Sequence, residues 1–124
     1  MTDPWLDQVT KQLTAILALE ANWDGDGALA PDPEIIERAN RFAGVLESHG
    51  VTRPQVVPTR AGGVQFEWNP PGGYCELVFL PDREMHLFAD NDAKLEERSK
   101  TMANSDSVWA ADYVAIYLRF AGAM

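Results

Sequence analysis

Residues 55–90 switch to a period of two and are cut by glycine and proline, which commits the middle of the chain to a small sheet. The runs 55–60, 64–69, 74–80 and 84–90 are rich in β-branched and aromatic residues. Ala61-Gly62-Gly63, Pro70-Pro71-Gly72-Gly73 and Pro81-Asp82-Arg83 separate them. Short strands joined by such turns predict a four-stranded antiparallel meander. Val64, Phe66 and Trp68 alternate with Gln65, Glu67 and Asn69, and Cys75, Leu77 and Phe79 with Glu76, Val78 and Leu80. One face is therefore apolar and the other mixed.

The flanks have helical period. Asp3-Pro4 reads as an N-cap followed by proline at the first helical position, and Trp5, Leu6, Val9, Leu13, Ile16 and Leu17 extend a helix to about Glu20. Asp32-Pro33-Glu34 repeats the start signal. Ile35, Ile36, Ala39, Phe42, Ala43 and Leu46 form the stripe of a second helix, which Gly50 ends. The two make an N-terminal helical hairpin. Residues 91–107 are polar and read as a loop, or as a short amphipathic turn over 94–98. Ser105 or Asp106 then caps a C-terminal helix, whose Trp109, Tyr113, Ile116, Tyr117 and Phe120 pack on the sheet. The expected fold is a single α+β domain spanning residues 1–124.

Composition narrows the setting. The longest apolar runs are too short to span a bilayer, and Met1-Thr2-Asp3-Pro4 lacks the character of a secretory signal. A lone cysteine, Cys75, rules out an internal disulfide or a multi-cysteine metal cluster. A cytoplasmic protein is expected. Ten basic against nineteen acidic residues give a formal charge of −9. Such a surface repels phosphate backbones, so direct nucleic-acid binding is not expected, and it favours a basic partner.

Between the first two helices runs Asn22-Trp23-Asp24-Gly25-Asp26-Gly27-Ala28. Asn22, Asp24, Asp26 and Gly27 match the first half of a calcium-binding loop, with oxygen ligands at alternate positions and glycine at the sixth. The second half fails: the closing twelfth position is Pro33, with Asp32 and Glu34 one residue out of register. The competing expectation is structural. Trp23 anchors the turn in the core, Asp24 caps backbone N–H groups, and Gly25 and Gly27 take positive φ.

Asn22-Trp23-Asp24-Gly25-x-Gly27-Ala28, Pro54-x-Val56-x-Pro58-Thr59 and Gly62-Gly63-Val64-x-Phe66-Glu67-Trp68 together resemble a group of small uncharacterised bacterial and phage-associated proteins. The similarity covers about residues 13–80. It implies a prokaryotic or phage origin and this fold outline, and it carries over no catalytic residues. In such proteins the position of Asp26 is often aromatic.

If residues 70–73 form the hairpin loop, Glu67 and Glu76 fall opposite one another. Close carboxylates raise one pKa, the arrangement behind acid/base pairs and metal sites. Without such a role they need a cation nearby, and Arg60, Arg83 and Lys100 are the candidates. Cys75 should pair with Ala89 and His86 with Val78, on opposite faces, which separates the thiol from the imidazole. Tryptophan and tyrosine are enriched at binding hot spots, which singles out Trp23, Trp109, Tyr113 and Tyr117.

These readings point to a non-enzymatic, acidic interaction protein without a cofactor. Its partner-binding residues would be Trp23, Asp24, Asp26, Glu67, Glu76, Trp109, Tyr113 and Tyr117. An immunity, antitoxin-like or inhibitor role fits, with nucleic-acid mimicry as one mode and a homodimer as one assembly. The alternatives are a metal-dependent or acid/base hydrolase using Glu67 and Glu76, and a weak calcium module at Asn22, Asp24 and Asp26.

Overall fold

The structure, a computed structural model, describes residues 4–103 and 108–124, with only the backbone at residue 82. Helices α1 (Leu6–Leu17) and α2 (Pro33–Ser48) form the N-terminal hairpin. Strands β1 (Gln55–Pro58), β2 (Val64–Trp68), β3 (Gly73–Phe79), β4 (Glu84–Asn91) and β5 (Glu96–Ala103) follow, then α3 (Val108–Ala121). The sheet is an antiparallel meander in the order β1-β2-β3-β4-β5. No described helix is long and apolar enough to cross a membrane.

The strand count corrects the sequence expectation of four. Residues 91–107 do not form one loop: Glu96–Ala103 pairs with β4 along its full length, from Glu84 opposite Ala103 to Asn91 opposite Glu96. Its composition hid it. β5 is an edge strand whose one buried side chain is Met102, so no apolar alternation advertised it.

The helix starts follow local chemistry, with one long-range exception. Asp32 caps α2 by accepting the Glu34 N–H at 2.9 Å, with Pro33 in the first turn. Gly50 follows α2 with φ of 80°, the left-handed conformation that closes a helix C-terminus. For α1 the predicted cap Asp3 lies outside the described residues, as do Ser105 and Asp106 for α3. Trp5 takes the N-cap position of α1 without a side-chain cap. The role falls to Glu47, near the end of α2, whose Oε2 accepts the N–H groups of both Trp5 and Leu6 at 2.6 Å. Trp5 Nε1 donates to the Val51 carbonyl at 2.9 Å. The start of α1 is thus tied to the end of α2, and α1 stops at Leu17, short of Glu20.

All three helices serve one face of the sheet. Val56, Val64, Phe66, Trp68, Cys75, Leu77, Phe79, Met85, Leu87, Ala89 and Met102 point inward and are buried. They share one core with Val9, Leu13, Phe42, Leu46, Val114 and Leu118 from the helices. Phe66 and Phe79 meet edge to face at 4.9 Å, and Phe42 of α2 approaches Phe79 at 6.2 Å. Arg38 of α2 is buried too; its guanidinium donates to the Leu80 carbonyl at 2.9 Å, while Nε and one terminal nitrogen have no hydrogen-bond partner.

The C-terminal end of α3 meets the start of β3 so closely that only glycine fits. A Cβ on Gly73 would lie 2.0 Å from the Ala121 carbonyl oxygen. Asn91, paired with Gly73 across the strands, donates from Nδ2 to the Phe120 carbonyl at 2.7 Å. Gly73→Ala must push α3 off the sheet. It is expected to cost about 1–3 kcal/mol, read as a lower urea midpoint at unchanged slope.

Candidate partner-binding face

Alternation that buries one sheet face leaves the other outward. Its rows run Val57, Gln65, Val78, His86 and Thr101; then Gln55, Glu67, Glu76, Phe88 and Ser99; then Tyr74, Asp90 and Glu97. None of these side chains is fully buried, so no described helix covers this face. Glu67 lies directly opposite Glu76, the register set by the residue 70–73 loop. Cys75 pairs with Ala89 and His86 with Val78. Glu84 also points outward, and no outward strand position carries lysine or arginine.

The two glutamates do not share a cation from the expected set. Arg60 is held by Asp24, Arg83 stands 4.0 Å from Glu34, and Lys100 lies 4.3 Å from the Tyr113 ring. Neutral donors serve Glu67 instead: its Oε2 accepts from Gln65 Nε2 at 3.0 Å and from the Tyr74 hydroxyl at 3.3 Å. Gln65 Nε2 also donates to the Tyr74 oxygen at 3.2 Å. Partial burial raises the Glu76 carboxyl above its usual range; nearby His86 opposes the shift and Glu67 adds to it. Burial, with Glu76 and Glu67, raises the Tyr74 hydroxyl, so it stays protonated and able to donate.

The period-two pattern had placed Glu67 and Glu76 on this face. It also holds Tyr74, Phe88 and Asp90, which the sequence does not single out, and His86, which enters there only as a candidate partner for Cys75. The Tyr74 and Phe88 rings lie 6.4 Å apart, and His86 Nδ1 sits 3.3 Å from Thr101 Oγ1 on β5. A half-buried aromatic pair bordered by carboxylates is the most distinctive surface of the sheet.

The Asn22–Ala28 loop lies elsewhere, between α1 and α2, and closes on itself. Asn22, Gly25 and Gly27 have φ of 66°, 73° and 84°. Asp24 Oδ1 accepts from the Asp26 and Ala28 N–H groups at 2.9 and 3.0 Å, and Oδ2 accepts from Arg60 Nε at 2.8 Å. Asn22 Oδ1 takes the Gly27 N–H at 2.7 Å. Arg60 also donates to the Asp26 carbonyl and stands 3.3 Å from the Asp26 carboxylate. Two of the candidate cation ligands, Asn22 and Asp24, therefore already accept protein N–H groups, and the third, Asp26, is paired with Arg60. Among the described residues no three His, Cys, Asp or Glu side chains come together as a metal site. The Asp26 N–H first, then the Ala28 N–H and Arg60, hold the Asp24 carboxyl below its usual range against an opposing desolvation. Trp23 departs from expectation. It is half-buried, lies outside the hydrophobic core, and donates from Nε1 to the Leu29 carbonyl at 3.1 Å.

The α3 aromatics divide. Tyr113 and Tyr117 pack half-buried against the core, while Trp109 is 56% exposed and meets Tyr113 edge to face at 5.0 Å. Cys75 is fully buried, its thiol pushed up to about 12 by burial and Glu76, so it acts as a small hydrophobe.

Comparison of the chain with protein-family models, curated proteins and solved structures finds no match.

Two pH signatures follow. Because folding raises the Glu76 carboxyl, its charge penalises the folded state above the folded pKa, and the penalty fades once pH falls below the unfolded value of about 4.5. Glu76→Gln should raise the melting temperature at neutral pH and give no gain at acid pH. Asp24 runs the other way. Its stabilising charge is present above about 3.8 and is lost as pH falls through the lower folded value. Asp24→Asn should lower the melting temperature at neutral pH and flatten its fall in strong acid.

Proposed function

We propose that this protein is a small acidic interaction module that binds a macromolecular partner with a basic surface through the outward face of its sheet. It has no catalytic role in this reading. One observation carries it: Glu67, Glu76, Asp90 and Glu97 lie around the Tyr74–Phe88 pair, with Glu84 further along β4, on a face whose strand positions carry no lysine or arginine. Aromatic rings with restricted rotamers give contact area, and the surrounding carboxylates choose the sign of the partner. A flat sheet can also carry negative charge at a spacing that imitates a phosphate backbone. This supports an inhibitor, immunity or antitoxin-like role against a basic cleft, in the cytoplasm of a bacterium or during phage growth.

The Asn22–Ala28 loop has a supporting part in this reading. Its bonds to Arg60 remove one cation from the acidic surface and fix the chain leading out of β1. The Asp24 carboxylate is engaged on both oxygens and that of Asp26 stands beside the same guanidinium, so in this reading the sheet face rather than the loop holds the partner.

The test is capture of a basic protein from lysate of the native host, followed by titration of that partner with wild-type and altered chains. Glu67→Gln/Glu76→Gln/Asp90→Asn should weaken binding at least about tenfold, about 1.4 kcal/mol. Tyr74→Ala/Phe88→Ala should weaken it similarly by removing contact area. Wild-type affinity in both variants would remove this face from the function.

A further inference from the structure

We infer that α3 is also a self-association surface, whose partner is the α3 of a second copy of this chain. The outward stripe of this helix is apolar where a solvent-facing helix is ordinarily polar. Val108, Trp109 and Ile116 are 61%, 56% and 46% exposed. Trp109 and Ile116 are seven residues apart, two helical turns, so they share one stripe. Exposed aromatic and aliphatic side chains grouped on one element mark an interaction site more often than the same residues scattered singly.

The charges on this stripe select the occupant. Asp112 and Arg119 lie on it, again seven residues apart. Two copies of α3 laid antiparallel about a two-fold axis between residues 115 and 116 place Asp112 of each against Arg119 of the other. The contact is isologous, and both ion pairs form at once. Ile116 then meets its own counterpart near the axis. The stripe is self-complementary in charge and in apolar character.

The internal contacts of α3 leave this arrangement open. Asp112 Oδ1 is 2.6 Å from His49 Nε2, yet the Asp112 side chain stays 58% exposed and so accessible to a guanidinium of a second copy. Lys100 and Arg98 sit over the Tyr113 and Phe120 rings at 4.3 and 4.1 Å, on the side of α3 next to β5. They keep cations close to the seam of a chain whose formal charge is −9, which softens the repulsion between copies. Because α3 lies on the helical side of the sheet, pairing through it leaves the acidic face of each copy outward.

Sedimentation equilibrium on the full chain, from micromolar to millimolar concentration, reads the assembly directly. The wild type is expected to reach the mass of a dimer. Ile116→Asp and Arg119→Glu should each weaken association at least about tenfold, as loss of a central contact or reversal of a paired charge does, while melting as the wild type does. The exchanged pair Asp112→Arg/Arg119→Asp should recover the dimer. His49→Ala, which breaks only the internal pair, should keep it. A monomer throughout the range overturns the inference, as does a dimer indifferent to Ile116→Asp and Arg119→Glu. Failure of the exchanged pair to recover a dimer that Arg119→Glu abolishes overturns the antiparallel arrangement.

Discussion

Everything in this molecule depends on a sheet that has only one apolar face. In a meander each strand presents alternate residues to the same side, and hydrogen-bonded neighbours share that side, so one row such as Val56, Phe66, Leu77 and Leu87 crosses four strands. A slip of one residue in any hairpin would turn a whole strand inside out. The helices therefore have one place to go. The hairpin of α1 and α2 packs over β1 and β2, and α3 over β3 and β4. This gives a two-layer domain in which the second face of the sheet is left to solvent or to a partner.

Charge is sorted between the same two sides. β5 makes this visible, because its inward positions opposite Leu87 and Ala89 are Lys100 and Arg98. Charges pointing inward on an edge strand discourage a further strand from pairing there. Here they also reach over the rim onto aromatic rings of α3, where the stems pack on apolar surface and the heads keep contact with water. The outward positions of the same strand are Glu97, Ser99 and Thr101. The acidic face is thus acidic partly because the cations of β5 are used on the other side.

The sequence made the local features legible and left the distant ones hidden. The hairpin loops at residues 70–73 and 81–83 set the pairing of Glu67 with Glu76 and of Cys75 with Ala89, because loop length fixes register. The caps and stripe of α2 were equally readable. β5 was not, since an edge strand can be polar on both faces and draws its order from the neighbour it pairs with rather than from burial. The start of α1 was obscured for a related reason. Glu47, which receives its N–H groups, stands 41 and 42 residues away, and nothing in the period of either helix links them. Arg60, Arg83 and Lys100 each proved to have another partner, because nearness in a strand map says little about where a long flexible cation ends.

The Asn22–Ala28 loop shows how such a distant residue changes the meaning of a motif. Oxygen-bearing side chains at alternate positions around glycines suit a bound cation, and they suit a turn that satisfies its own N–H groups equally well. What separates the two is whether the oxygens remain open. In Asp24 both are engaged, one by two backbone N–H groups and the other by Arg60, which arrives from 36 residues away. A guanidinium supplies the positive charge that a metal would, with the geometry of a planar donor. The loop then ties the connection between α1 and α2 to the exit of β1, next to the Leu29 N–H bond to the Arg60 carbonyl at 2.9 Å. Its acidic appearance in sequence is an ion pair in structure.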